Sequence, residues 1–186
     1  MHASSTPTSK RPSLEDRPAA RSCSGPGTSH VLPEVVTPVI HVEVTNRQSA
    51  MAVNIPLIDK AARVVLRGEQ VASADMSIAI VDDEMIRQLN RQYLQHDCPT
   101  DVLSFLLEGQ AGHVEGEIIA SAETAVRESV QYGWSAHEEL LLYVIHGALH
   151  LLGYDDQAPE QSQVMRAKEQ EYLAQLTRPS PTDPKT

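Results

Sequence analysis

One apolar segment in the C-terminal half of the chain constrains the fold more than any other. Ser135 followed by Glu138 is a capping box, a pattern that satisfies free backbone N–H groups at the start of a helix. The residues that follow are almost all apolar, which predicts a helix near the centre of the protein. His146 and His150 lie four residues apart, and therefore on one face of that helix. Gly153 favours the left-handed conformation that ends a helix.

The same segment has the spacing of a metal site. If the chain folds back at Gly153, the carboxylate of Asp156 reaches the two histidines. Three protein ligands and an open position are typical of catalytic zinc, whereas structural zinc has four protein ligands. The alternative is a pair of core histidines, but the leucines around them offer no polar partner. We therefore predict one zinc ion per chain, bound by His146, His150 and Asp156.

Length and composition are those of one globular domain. The chain has 186 residues, of which 41% are hydrophobic and 22% charged. No apolar run approaches the ~20 residues that cross a bilayer, and the N-terminus lacks the apolar region of a secretory signal. The two cysteines, Cys23 and Cys98, form neither a metal motif nor a disulfide framework. These features predict a cytoplasmic protein with no membrane partner.

Charge is distributed unevenly along the chain. The net charge of −10 argues mildly against a nucleic-acid partner. Residues 47–91 contain six basic and six acidic side chains, whereas residues 92–176 contain three basic and fourteen acidic ones. A local basic surface and a set of solvated helix faces are both compatible with the first of these regions. The candidates for a basic surface are Lys60, Arg63, Arg67, Arg87 and Arg91.

Hydrophobic patterning places one domain at residues 39–176. Residues 1–38 and 177–186 are rich in small polar residues and proline, and we expect both to be disordered. Between them, strand-like and helix-like segments alternate. This order predicts an α/β (mixed α+β) fold with helices packed on a small, mostly parallel mixed sheet. In the last helix, which begins at Pro159, the residues expected to face the core are Val164, Met165, Tyr172, Leu173 and Leu176.

Several blocks of the sequence resemble the YbeY-type family of bacterial rRNA-maturation endoribonucleases. The segment from His146 to Asp155 looks like the signature of this family, and Pro99–Phe105 resembles its other hallmark segment. The resemblance spans roughly residues 39–176 and implies a single α/β domain with one zinc ion. It also implies single-strand-specific cleavage of RNA in 16S rRNA 3′-end maturation and ribosome quality control. The implied partners are single-stranded rRNA and the small ribosomal subunit or its assembly proteins. Further similar blocks are Leu89-Asn90 with Tyr93, Gly116-Glu117-Ile118 and Glu139-Leu140.

The chain departs from the family pattern at two positions. Asp156 stands where the family usually has histidine. Zinc accepts a carboxylate ligand, but the less positive site should acidify bound water less and accommodate manganese better. Leu94 stands where the family often has an arginine that is expected to hold phosphate. Arg91, one turn earlier, either replaces that arginine or is simply exposed to solvent.

Five residues are candidates for catalysis or substrate binding. By charge and position, Arg91 and Arg63 could stabilise the transition state of RNA cleavage or hold the substrate. Thr100, Asp101 and Ser104 belong to the hallmark segment, and Asp101 is the candidate with a catalytic role. These three either position the substrate and support the histidines, or they cap a turn and alternate along a strand.

Two further residues have open roles near the predicted metal. Glu117 is a candidate for orienting a ligand histidine through a hydrogen bond, as acidic residues often do beside zinc. Tyr154 either binds substrate through its hydroxyl or packs beside the turn that follows the helix.

Two other functions are compatible with parts of the sequence. Metzincin-like proteases share the ligand spacing, but they need glutamate directly after the first histidine, where this chain has Gly147. A metalloprotease-like hydrolase is therefore disfavoured. A non-catalytic ribosome-assembly factor with a structural metal is the other alternative, and the acidic region at residues 92–176 would suit a protein partner.

Overall fold

The computed structural model describes residues 38–110 and 112–177, which contain four strands and five helices. The predicted N-terminal extension up to residue 37 and the predicted tail from residue 178 lie outside these ranges. Thr177, which we assigned to the tail, is the last residue of the final helix. In chain order the elements are β1 (Val39–Asn46), α1 (Ile55–Gly68), β2 (Ser73–Val81), α2 (Asp83–Leu94), β3 (Val102–Gln110), β4 (His113–Ser121), α3 (Ala122–Tyr132), α4 (Ala136–Leu151) and α5 (Pro159–Thr177).

The sheet has the strand order β1-β2-β4-β3. Strand β2 pairs in parallel with both β1 and β4, and only the β3–β4 hairpin is antiparallel. Parallel neighbours need a crossover connection, which α1 supplies between β1 and β2. The predicted α/β class with a small, mostly parallel mixed sheet is thereby confirmed.

Short polar side chains start four of the helices. Asn54, Asp82, Ser121 and Ser135 each accept a hydrogen bond from a backbone N–H group in the first turn of α1, α2, α3 and α4, respectively. Glu138 completes the capping box by accepting a bond from the backbone N–H of Ser135 at 2.9 Å. The capping box predicted from sequence is therefore present.

Helix α4 packs on one face of the sheet among three other helices. It packs on β3 and β4 on one side and contacts α1, α3 and α5 on the others. Gly147 permits this close approach, because an added Cβ there would lie 3.0 Å from Cγ2 of Ile118 and 3.3 Å from Cγ2 of Val102. Helix α4, which bears the two histidines, is thus the central helix of the fold, as its apolar sequence predicts.

Helix α2 packs on the opposite face of the sheet, against β3 and β4. Val81, Ile86, Leu103 and Ile119 form a smaller buried cluster there. This face is separate from the one that receives α4. Strand residues that point towards α2 therefore cannot reach the histidines.

Helix α5 belongs to the same layer as α4 and packs against it. Met165, Tyr172, Leu173 and Leu176 are buried as predicted, but Val164 is 52% exposed, so its assignment to the core was wrong. Val164 is exposed because the next residue, Met165, points towards the core, and adjacent residues of a helix point in different directions. No helix in the two described ranges combines the length and the apolar character needed to cross a bilayer.

Candidate metal centre

The two histidines of α4 converge at the end of the helix. Nε2 of His146 lies 3.0 Å from Nε2 of His150, and the two rings are nearly perpendicular, at 84°. Gly153 adopts a φ of +88°, and its N–H group donates to the carbonyl of His150. The chain then reverses and brings Asp156 towards the rings. One ligand atom from each of His146, His150 and Asp156 lies within 4.8 Å of the others.

Hydrogen bonds to the other ring nitrogens orient both histidines. Nδ1 of His150 lies 2.9 Å from the carbonyl oxygen of Tyr154, which can only accept a hydrogen bond. Nδ1 of His150 therefore carries the proton, and its Nε2 presents a lone pair. Nδ1 of His146 lies 2.7 Å from Oε1 of Glu169, which favours the same tautomer.

The resulting donor set suits a zinc ion. Two imidazole nitrogens at ~2.0–2.1 Å from a tetrahedral zinc lie about 3.3 Å apart, close to the separation of these two Nε2 atoms. The carboxylate of Asp156 supplies a third ligand of a kind that zinc accepts. A fourth position would be left for water or substrate.

The electrostatic environment of the histidines is negative. Burial acts to lower the pKa of His146, but the hydrogen bond and charge of Glu169, with the charges of Asp101 and Asp156, outweigh it and raise that pKa. An environment that stabilises a proton on the imidazole also stabilises a metal cation at the same place. The carboxylates therefore favour metal binding as well as orienting the ligands.

Two polar side chains of the hallmark segment line the same cleft as the histidines. Asp101 and Ser104 line a cleft with His146 and His150, which we call the Leu94 cleft after the residue on its far wall. The cleft has a volume of about 450 Å³. None of the described residues that line it is a lysine or an arginine. Leu94 thus lies at the wall of the site, without the charge of the arginine that the family often has there.

Asp101 is held in place by its neighbours. Its Oδ1 accepts hydrogen bonds from the hydroxyl of Thr100 at 2.9 Å and from the backbone N–H of Val102 at 2.8 Å. Thr100 therefore acts on the site through Asp101. From the sequence we left open whether Thr100 positions the substrate or caps a turn. Its hydrogen bond to Asp101 resembles the second of these roles.

Three other candidate residues lie away from the histidines. Arg63 donates hydrogen bonds to Asp59 on its own helix and to the carbonyl of Ile40 in strand β1. Arg91 is exposed on α2 and lines neither the Leu94 cleft nor the cavity on the other side of His146. Glu117 lines a groove on the opposite face of the sheet. Glu169 and the Tyr154 carbonyl make the histidine contacts that we expected from Glu117.

Tyr154 takes the packing role and not that of a free hydroxyl. Its hydroxyl donates to Oε2 of Glu69 at 2.8 Å. Glu69 also accepts from the hydroxyl of Tyr172 and from Nζ of Lys168. Partial burial acts to raise the pKa of Glu69, but the hydrogen bonds from Lys168, Tyr172 and Tyr154 lower it overall. This carboxylate therefore ties the turn after α4 to both α1 and α5.

Sequence reasoning missed Glu169, although a signal for it was present. Met165, Tyr172 and Leu176 were expected to face the core, and Glu169 lies four residues after Met165 and three before Tyr172. It therefore shares the inward face of α5. A carboxylate on the apolar face of a helix calls for a buried polar partner, which here is His146.

Comparisons with known proteins identify the family. A family model described as Endoribonuclease YbeY matches residues 43–177. An Endoribonuclease YbeY from Pelotomaculum thermopropionicum is 40% identical over 146 residues, covering 73% of this chain and 96% of the relative. A second, from Carboxydothermus hydrogenoformans, is 39% identical over 138 residues, covering 72% of this chain and 96% of the relative.

The fold has a counterpart among solved structures. The solution structure of a Thermotoga maritima protein matches with a TM-score of 0.53 and 23% identity, covering 77% of this chain and all of that one. This likeness supports the fold alone. The match of the family model over residues 43–177 and the two relatives lead to one conclusion: the chain belongs to the Endoribonuclease YbeY family.

Proposed function

We propose that this protein hydrolyses phosphodiester bonds of single-stranded RNA with a zinc ion held by His146, His150 and Asp156. One observation carries the proposal: both Nδ1 atoms are engaged by acceptors, which leaves both Nε2 atoms for an ion beside the Asp156 carboxylate. The relatives named above are endoribonucleases by name, which supports RNA as the substrate. Zinc bound by these residues would polarise a phosphate oxygen or supply a hydroxide.

Asp101 is the residue that we propose to handle a proton in this reaction. Its Oδ1 is occupied by Thr100 and Val102, whereas its Oδ2 accepts no hydrogen bond from a described residue. The carboxylate lines the Leu94 cleft together with both histidines. A water molecule or a ribose hydroxyl in that cleft can therefore donate to Oδ2, which is where a general base has to lie.

Ser104 lies in the same cleft and is proposed to contact the substrate. Its hydroxyl can donate to or accept from RNA, as in many backbone contacts of nucleic-acid-binding proteins. Arg63 and Arg91 have no part in this cleft. Any role for them in RNA binding is limited to contacts outside it.

Protein hydrolysis by the metzincin route is disfavoured by packing as well as by sequence. The Gly147 position faces Ile118 and Val102, so a glutamate there would point into the sheet. The alternative of a purely structural metal is disfavoured by the site itself. Among the described residues, three candidate ligands come together there, and Asp156 is exposed at the surface, whereas a structural zinc would have four protein ligands.

The proposed biological role is 3′-end maturation of 16S rRNA and ribosome quality control in the cytoplasm. Family membership supports a role in rRNA processing. The small ribosomal subunit or its assembly proteins would then present the RNA, which fits a chain with a net charge of −10. Co-sedimentation of the protein with small subunits from a cytoplasmic extract tests this role, and a protein found only in ribosome-free fractions would contradict it.

Cleavage of an end-labelled single-stranded RNA by matched preparations tests the activity. Wild-type protein, metal-stripped protein and the His146→Ala variant are purified in parallel, with His137→Ala as a control for an exposed histidine on the same helix. We expect cleavage by wild type and His137→Ala only, and recovery of the stripped protein on addition of zinc or manganese.

Two outcomes would contradict the proposal. Cleavage that persists unchanged in His146→Ala would reveal a contaminating nuclease. Loss of the folded state on metal removal, measured by circular dichroism, would favour the structural metal of an assembly factor.

A further inference from the structure

A second cavity lies on the other side of His146 from the Leu94 cleft. It has a volume of about 320 Å³ and lies between α4, α5 and the loop that joins α3 to α4. We call it the Trp134 cavity. His146 and Asp101 line both spaces, so an RNA strand bound at the metal can extend from one into the other. Its volume is at the lower end of the ~300–1,000 Å³ that ligand pockets occupy.

Two aromatic side chains stand at the wall of this cavity without an evident structural role. Trp134 is 42% exposed and Tyr132 is 66% exposed, although both are large and partly apolar. Neither side chain makes a hydrogen bond to a described residue. Exposed aromatic faces beside a cavity are the platforms on which proteins stack unpaired bases.

One residue that lines the cavity is a cation, in a lining that also includes the carboxylates of Asp101, Glu139, Asp156 and Glu169. Arg166 on α5 lines it and is exposed, and it forms no ion pair with a described residue. The guanidinium group is suited to bidentate contact with phosphate. Since the Leu94 cleft has no lysine or arginine among its described residues, Arg166 is the cation best placed to hold RNA beside the metal.

The inner wall of the cavity is polar and buried. Glu139 is 5% exposed, and both Glu139 and Tyr143, one turn further along α4, line the cavity. Burial raises the pKa of the Glu139 carboxyl. Its carboxyl oxygens can accept hydrogen bonds. They can therefore face the N–H groups at the edge of a base.

Resting on the proposed cleavage of RNA, we infer that the Trp134 cavity binds one unpaired nucleobase next to the scissile phosphate. The base stacks on Trp134 and Tyr132, its edge faces Glu139, and an adjacent phosphate contacts Arg166. A base can enter only when it has left its helix, because a paired base is covered on both faces by its neighbours. This cavity would thus supply the preference for single-stranded RNA.

The fluorescence of Trp134 offers a direct test, because it is the single tryptophan of the chain. Full-length protein, metal-free and zinc-loaded, is titrated with a 2′-O-methyl single-stranded oligonucleotide that cannot be cleaved at the ribose hydroxyl. We expect saturable quenching by the single strand and none by the same sequence as a duplex. Binding of a labelled oligonucleotide, followed by anisotropy, gives the affinity of each variant.

Variants separate stacking from other effects. Trp134→Ala, Tyr132→Ala and Arg166→Ala are each expected to weaken binding, the aromatic changes by roughly 5- to 150-fold, as for the loss of one stacked base. Trp134→Phe is expected to retain most of the affinity. Val130→Ala, at an 80% exposed position of α3, is the matched control and should bind like wild type.

Two results would overturn the inference. One is saturation of the anisotropy signal without quenching of Trp134, and the other is wild-type affinity in Trp134→Ala. If RNA cleavage is lost in His146→Ala but Trp134→Ala keeps its kcat and KM, the base site is wrong and the proposed function stands. If quenching and the variant effects are present without zinc-dependent cleavage, the base site stands and the proposed function fails.

Discussion

Oε1 of Glu169, on helix α5, lies 2.7 Å from Nδ1 of His146, a residue 23 positions earlier in the chain. This bond joins the last helix of the domain to the helix that carries the candidate metal ligands. It fixes the ring of His146 so that Nε2 faces His150. The ligand geometry therefore depends on a helix that supplies none of the three ligands.

Replacing Glu169 is expected to weaken metal binding. Glu169→Ala removes the acceptor at Nδ1 of His146 and should lower zinc affinity by about 10- to 100-fold. Glu169→Gln should lose less, because its amide oxygen still accepts the bond. Competition with a chromophoric chelator measures the affinities. Glu171→Ala, at an exposed position of the same helix, is the control, and equal affinities in all four proteins would contradict the prediction.

Removal of a ligand histidine is expected to empty the site without unfolding the domain. His150→Ala should contain no stoichiometric zinc after purification and should show no RNase activity. The core around α4 consists of apolar side chains such as Ile145 and Leu149 and persists without the ring of His150. Metal analysis and circular dichroism are the measurements. Stoichiometric zinc in the variant would mean that His150 is not a ligand.

Asp156→His is expected to keep or tighten zinc binding. The position lies within reach of both histidine Nε2 atoms, and imidazole is a good zinc ligand. The site would also gain positive charge relative to the carboxylate, which should shift its preference from manganese towards zinc. Affinities for the two metals are compared by the same chelator assay. A loss of zinc affinity would show that Asp156 does not coordinate the ion.

The carboxylate of Asp83 predicts an acid-sensitive contribution to stability. It accepts hydrogen bonds from the hydroxyls of Ser121 and Thr124 and an ion pair from Arg127. Partial burial acts to raise the pKa of Asp83, but the bonds from Ser121, Arg127 and Thr124 lower it overall. The folded pKa thus lies below the unfolded one. The stabilisation is therefore complete above the ordinary value of 3.8 and is lost as the pH falls through the folded pKa.

Asp83→Ala should lower the free energy of unfolding by about 1.5–3 kcal/mol at pH 7. The difference from wild type should shrink at pH 3. Urea unfolding at the two pH values measures it, with Asp75→Ala, whose side chain is 58% exposed, as the control. A difference that is the same at both pH values would exclude the ionised carboxylate as its source.

Gly147→Val is expected to destabilise the domain. The Cβ position faces Ile118 and Val102 at contact distances that are already tight, so a branched side chain must displace α4 from the sheet. Overpacking of this kind costs about 1–3 kcal/mol. Thermal or urea unfolding measures the loss. Gly109→Val, at an exposed position of strand β3, is the control, and equal stabilities would mean that α4 shifts without cost.

Local features of the fold could be predicted from the sequence because their causes are local. The capping box at Ser135, the stacking of His146 on His150 and the reversal at Gly153 each depend on residues within one or two turns. The strand alternation of β1 is equally local. All of these are present in the structure.

The partners of the histidines could not be predicted in the same way. Glu169 belongs to α5, which is joined to α4 by a loop. The sequence alone does not give the distance between these two helices. Glu117, the candidate from the sequence for orienting a ligand histidine, lies on the opposite face of the sheet. Successive strand residues point to opposite faces, so Ile118 packs under α4 while Glu117 points away from it.

The attachment of helix α5 has a thermodynamic consequence. Lys168 of this helix forms an ion pair with Glu69, and Glu169 is hydrogen-bonded to His146. Helix α5 is therefore attached both to the end of α1 and to the helix that bears the candidate metal ligands. Coupling free energies are reciprocal. A metal ion that strengthens the hydrogen bond between His146 and Glu169 must therefore slow amide hydrogen exchange along α5. Conversely, a protein that displaces α5 must weaken the binding of the metal ion. Metal occupancy and the order of the C-terminal helix are then two readouts of one equilibrium.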